Sequence, residues 1–300
     1  MNVVTPFAEF SDALADAVER LSRSTLAVAG RHRRPAATAT VWRDGGVAVT
    51  AAHALRHSPA AVTLVGDGGR GVDASVVGTD TSTDLAVLRL AEPALPAVTA
   101  GDASAVKAGH LVLAVGRSGD GDAVASYGLV NRASGPWQTW LGGQVDRLIR
   151  LDGGVYEGLS GAPVADARGT VVGIATSALS RSYGIVVPTA TVNRVVDQLL
   201  AQGHVAQGFL GIGAQAAALP DGGSGLLVTG LMRDGAAQRA GLMVGDLIVR
   251  IGGTAVSTLG GLRAALAGQA GQTVAVDLVR GGAATTLSVT VGEWPRRRRC

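Results

Sequence analysis

Three residues whose side chains suit one another stand far apart in the chain: His53 in VAVTAAHAL, Asp84 in GTDTSTDLAVLRL and Ser160 in EGLSGAPV. A serine hydroxyl is a weak nucleophile at neutral pH and acts only when a neighbouring base removes its proton. Histidine suits that task because its pKa lies near neutrality. The imidazole in turn needs a sequestered carboxylate to hold one tautomer. The Gly-x-Ser-Gly string around Ser160 is weak alone: in a chain with 44 glycines among 300 residues, it arises by chance in about one of three such sequences. Its meaning depends on the other two residues.

The chain offers five histidines. An alternating strand ends at Thr50, and Ala51 and Ala52 then lead into His53, small enough for backbone to pack around an imidazole. The other four read as structural: His32 in an arginine-rich loop, His57 beside Ser58-Pro59, His110 at a strand start, His204 after a helix-ending glycine. Asp84 lies directly ahead of the apolar run Leu85 to Leu90 and enters the interior as that strand begins. Burying it without a donor would cost several kcal/mol, roughly, so a histidine partner is expected. Asp80, among Thr and Ser, reads as a turn aspartate.

The elements that must position these residues are mostly strands. Aromatics are 3% of the chain, apolar residues are 47%, and short Val/Leu/Ile runs alternate with glycine-bearing turns, which favours many short strands. Strands are predicted at 38–43, 46–50, 61–65, 72–78, 84–90, 110–116, 124–131, 146–151, 170–177 and 183–187. Ahead of them, Phe7, Phe10, Leu14, Val18 and Leu21 fall three or four apart, an amphipathic helix. Behind them, Val192, Val195, Val196, Leu199 and Leu200 form a second helical face ending at Gly203, a domain boundary. The expected organisation is a helix in 1–24, a β domain over 25–203, a smaller α+β domain over 208–293 and a basic tail, 294–300.

Charge excludes one class of function. The net +3 owes four charges to Arg296–Arg299, so the body is near neutral and lacks the basic stripe of a nucleic-acid groove. A single cysteine, Cys300, rules out an internal disulfide. The N-terminus lacks a signal-type apolar core, and no run of 18 apolar residues spans a membrane. The expected compartment is the cytoplasm, changing to the periplasm if a leader precedes Met1. No cofactor or metal is expected.

The order His53, Asp84, Ser160 is that of the chymotrypsin-like enzymes. VTAAHAL, TDLAVLRL and GLSGAPV, together with the N-terminal helix and the GIVVPTATVNRVVDQL strand and helix, resemble the trypsin-like proteases of the HtrA family over residues 7–293. The resemblance implies a mainly β fold, a chymotrypsin-like double β-barrel followed by a PDZ domain. It implies that Ser160 attacks a peptide carbonyl, His53 takes its proton and Asp84 orients His53. The backbone N–H groups of Gly158 and Ser160 then form the oxyanion hole, in a loop malformed at rest. Ile185 and Val187 are expected to line a pocket for small or aliphatic residues. Two positions depart from the family pattern: Leu159 stands where an acid or asparagine is usual, and Ala162 replaces a glycine.

Residues 208–293 resemble a PDZ domain of the permuted bacterial type. Gly208, Phe209, Leu210 and Gly211 would hold a peptide carboxylate, and Ile212 would begin the strand the peptide pairs with. Leu259, Leu262 and Leu266 are assigned mainly to the core. The partners implied are unfolded proteins and C-terminal peptides, with assembly into a homotrimer through the N-terminal region. The reading is a serine endopeptidase acting on unfolded or damaged proteins. Its alternatives are a catalytically idle PDZ scaffold or chaperone and a non-proteolytic esterase.

Overall fold

The computed structural model describes residues 6–29, 35–56, 60–93, 95–205, 208–219 and 222–293. His32, His57 and the basic tail 294–300 lie outside them. The chain forms two compact units, one of Met1–Trp137 with Val145–Val205 and one of Gln138–Gln144 with Ala206–Cys300.

The first unit opens with helix α1, Pro6–Ser22. Six strands follow: β1 Thr25–Ala29, β2 Pro35–Arg43, β3 Val47–Ala51, β4 Ala61–Val65, β5 Gly71–Asp80 and β6 Leu85–Leu90. They close an antiparallel barrel in the order β1-β2-β3-β6-β5-β4. Six more, β7 Leu111–Arg117, β8 Ala123–Ser134, β9 Leu148–Leu151, β10 Pro163–Asp166, β11 Val171–Thr176 and β12 Ile185–Pro188, close a second barrel, β9-β12-β11-β10-β7-β8. Helix α2, Thr189–Gln202, completes the unit and ends at Gly203 with φ +72°, the left-handed cap that glycine adopts without a Cβ penalty.

Strand pattern explains how the barrels join. In β3, Ala48 faces the first barrel's interior, whereas Val47 and Val49 face a core shared with Val115, Ile174, Val187 and α2. Alternate residues point to opposite faces, and both faces of β3 are buried. The strand therefore reads as a continuous apolar run, and its end, where His53 begins, sits against the second barrel.

Two of the twelve barrel strands, Thr25–Ala29 and Pro163–Asp166, are absent from the prediction. Thr25–Ala29 directly follows the segment read as helical, and Pro163–Asp166 opens with proline, a residue depleted in strands. Pro is tolerated at the first position of a strand, which is where Pro163 sits.

The second unit is an antiparallel sheet, β13 Ile212–Ala218, β14 Ser224–Leu231, β15 Leu247–Ile251, β16 Thr273–Arg280 and β17 Ala283–Thr290, in chain order. Short helices α3, Ala236–Arg239, and α4, Leu259–Leu266, pack on it around Leu226, Ile248, Val276 and Leu278. Leu262 and Leu266 belong to this core as expected, but Leu259 is exposed. No helix among the described residues is long and apolar enough to cross a membrane.

Candidate active site

His53 sits in a 3-10 turn, Ala52–Leu55, that begins as β3 ends. Asp84 occupies the short link between β5 and β6 with φ +57°, a left-handed conformation that aspartate tolerates better than most residues. Asp84 Oδ2 lies 2.7 Å from His53 Nδ1, and Oδ1 accepts the backbone N–H of His53 at 2.9 Å. Thr176 Oγ1, at the end of β11, donates to Oδ2 at 2.6 Å. The carboxylate is 4% exposed, and three donors offset its lost hydration. Because a carboxylate only accepts, His53 Nδ1 carries the proton and Nε2 is left as an acceptor. Asp80 is buried too, but its oxygens are taken by Ser82 and Thr83 within its own turn.

Ser160 comes from the second barrel, in the loop between β9 and β10. The loop is closed locally by Leu159 N–H to Tyr156 O at 3.0 Å and Ala162 N–H to Leu159 O at 3.1 Å. It is joined to β2 of the first barrel by Thr38 N–H to Ser160 O, Thr38 Oγ1 to Gly158 O and Thr40 Oγ1 to Gly161 O, each 2.8 Å. Gly161 has φ +88°, and a methyl placed on it would stand 2.1 Å from Thr38 O and 2.9 Å from Ala51 N. The residue after Ser160 thus abuts the strand end two residues before His53.

The Ser160 hydroxyl is buried, 3.0 Å from Ser177 Oγ and 3.3 Å from the Ser177 N–H, which donates to it. Among the described residues no hydrogen bond joins it to His53. The N–H groups of Gly158 and Ser160 donate to no described group, and Gly158 has φ +85°. His110 and His204 lie elsewhere, with Lys107 and Gln202 as their partners.

The two departures are core residues. Leu159 is 3% exposed and packs inside the second barrel with Ile149, Val164 and Val186; Ala162 is fully buried in the same cluster. Room for Leu159 comes from Gly116, where an added methyl would meet Leu159 Cδ2 at 2.6 Å. An apolar side chain thus anchors the loop in the barrel core, in addition to the hydrogen bonds that join it to β2.

The pocket expectation needs correction. Ile185 and Val187 are turned into the protein, both buried in the core shared with Trp42, Val192 and Leu199. In a strand buried on both faces, 185 and 187 turn toward that core and Val186 toward the second barrel's interior. A cleft of about 550 Å³ opens on the second barrel instead, bordered by Leu111, Tyr127, Leu129, Asp152, Tyr156 and Leu159.

In the second unit, Gly208 and Phe209 form a short ladder with Gly292 and Glu293. Leu210 is buried in the core, and its carbonyl accepts from Ala237. Gly211 has φ +76°, and its carbonyl accepts from Met232. The N–H groups of Leu210 and Gly211 donate to no described group. Ile212 begins β13, the edge strand of the sheet.

Residues 37–174 match the model of a trypsin-like peptidase domain and residues 208–291 that of a PDZ domain. The structure is similar to a solved HtrA-type protease, AlgW with decapeptide, with a TM-score of 0.75 at 25% identity, covering 95% of this chain and 99% of that one. Over 282 residues the sequence is 34% identical to the probable periplasmic serine endoprotease DegP-like of Brucella suis biovar 1, covering 88% of this chain and 54% of that protein. The chain belongs to the HtrA family of trypsin-like proteases. A second probable periplasmic serine endoprotease DegP-like, from Halomonas elongata, is 29% identical over 276 residues, covering 88% of this HtrA chain and 57% of the relative. The chain spans about half the length of these curated relatives. Their names overturn the cytoplasmic expectation, because both are described as periplasmic. That expectation rested on the composition of the first residues, which reports a leader only if one is present there.

Proposed function

We propose that this chain is a serine endopeptidase hydrolysing peptide bonds of unfolded or damaged proteins, with residues 25–203 as its protease domain and 208–293 as its PDZ domain. The observation that carries the reading is the Asp84–His53 pair at 2.7 Å, held beside the loop that presents Ser160. His53 Nε2 takes the proton of Ser160 as Oγ attacks the substrate carbonyl. Asp84 stabilises the imidazolium, and His53 returns the proton to the leaving amine. The N–H groups of Gly158 and Ser160 stabilise the oxyanion, a contribution of about 3 kcal/mol per donor in hydrolases of this type.

In the PDZ domain, the Leu210 and Gly211 N–H groups receive a peptide's terminal carboxylate, and the peptide adds along β13 from Ile212. The presence of a decapeptide with the relative AlgW supports such capture. Tethering then raises the effective concentration of a caught chain at Ser160. The same reading includes a homotrimer assembled through α1, on which Phe7 and Phe10 stand exposed. The relatives' names support a periplasmic site of action.

A second reading, a catalytically idle peptide-binding scaffold, draws on one observation: Ser160 Oγ is bonded to Ser177 and not to His53. Casein digestion separates the two. The peptidase reading expects cleavage by the native chain that vanishes in Ser160→Ala; undigested casein with both, while a carboxyl-end peptide still binds, supports the scaffold.

A further inference from the structure

Ser177 is the first residue beyond β11 and is exposed, yet its side chain is turned inward toward the buried Ser160 hydroxyl. A serine at a strand end commonly bonds to backbone within two or three residues. Here Thr176 Oγ1 takes that local role, accepting the Ala178 N–H at 3.0 Å, while Ser177 Oγ lies 3.0 Å from Ser160 Oγ. The Ser177 N–H also donates to Ser160 Oγ at 3.3 Å. One short segment, 176–178, therefore fixes two reacting groups: Thr176 holds the Asp84 carboxylate at 2.6 Å, and Ser177 holds the Ser160 hydroxyl.

We infer that Ser177 is a positioning residue that parks the nucleophile. A hydroxyl has one proton. When Ser160 donates it to Ser177 Oγ, the proton points away from His53 Nε2, and the lone pair that accepts the Ser177 N–H is withdrawn from attack. Proton transfer begins only after Ser160 rotates about its Cα–Cβ bond into another staggered well and leaves both contacts. The resting enzyme thus has its acid–base pair assembled, with Asp84 already on His53, and its nucleophile disengaged. Substrate binding shifts the balance in proportion to how much better it fits the released rotamer. This inference rests on Ser160 being the nucleophile of the proposed peptidase.

The test measures the rate at which a fluorophosphonate acylates Ser160 in the full chain, together with kcat and KM on a peptide substrate. Loss of one neutral side-chain hydrogen bond in the parked state should make Ser177→Ala faster in both acylation and kcat by on the order of threefold to tenfold, with KM unchanged. Ser177→Thr, which restores a hydroxyl, should return both rates toward the native values. Acylation of Ser160 at equal or lower rate in Ser177→Ala overturns the parking role and leaves the peptidase reading intact. Absence of acylation at Ser160 in all three proteins overturns both.

Discussion

Asp84 grips His53 through both carboxylate oxygens, one on the ring Nδ1 at 2.7 Å and one on the backbone N–H at 2.9 Å. The two contacts fix the residue and its ring together, so the tautomer is set before any substrate arrives. In Asp84→Asn the amide group can donate, and the ring is free to invert its proton assignment. Peptidase kcat should fall about 10⁴-fold, while circular dichroism and the unfolding midpoint show the fold retained. A loss below tenfold would mean that Asp84 serves the fold and not the imidazole.

Leu159 presents a different expectation. Its side chain fills the second barrel directly before Ser160, opposite Gly116. Truncation in Leu159→Ala should lower stability by about 2–5 kcal/mol, read by urea denaturation followed at Trp42. Leu159→Asp should be worse, since it would place a carboxylate among the apolar side chains of Ile149, Val164 and Val186.

Gly161 admits no side chain. Its φ of +88° is unfavourable for an L residue, and the added methyl would strike backbone atoms of β2 and β3. Gly161→Ala should destabilise the first unit by at least about 2 kcal/mol and prise the Ser160 loop off β2. Loss of protection at the Thr38 amide, measured by hydrogen exchange, would report that separation.

Acid should act on the second unit through Asp246. Its buried carboxylate accepts Arg280 Nε and an η-nitrogen, each at 2.7 Å, and the Met243 N–H at 2.8 Å. The Arg280 hydrogen bonds hold its pKa below the ordinary carboxylate value, opposed by burial and helped by Met243. A depressed folded-state pKa adds stability that is complete above the unfolded value, about 3.9, and is lost as pH falls through the folded one. Amide protection of Ile248 and Leu278 should therefore exceed that in Asp246→Asn at pH 7, and the gap should narrow below about pH 4.

Much of this was legible because the chemistry-bearing residues follow local rules. Asp84 precedes an apolar run, His53 follows a strand with two alanines, and Gly203 ends α2 with a left-handed φ. What escaped depends on long-range packing. The alternation of Ile185, Val186 and Val187 does not reveal which face meets a cleft and which meets α2, so two core residues read as pocket walls. Leu159 read as a missing polar group because the space opposite it, left by Gly116, is more than forty residues away in the chain. The Ser177 contact has no sequence signal at all: an exposed serine after a strand is ordinary until the tertiary fold brings Ser160 beside it.

Mass spectrometry of the native chain after exposure to a fluorophosphonate, with and without a carboxyl-end peptide, tests the central claim most directly. The account predicts one phosphonyl adduct, on Ser160, absent from Ser160→Ala and strongly slowed in His53→Ala. An unmodified Ser160 in folded protein with peptide bound, or an adduct on a different serine, would contradict it.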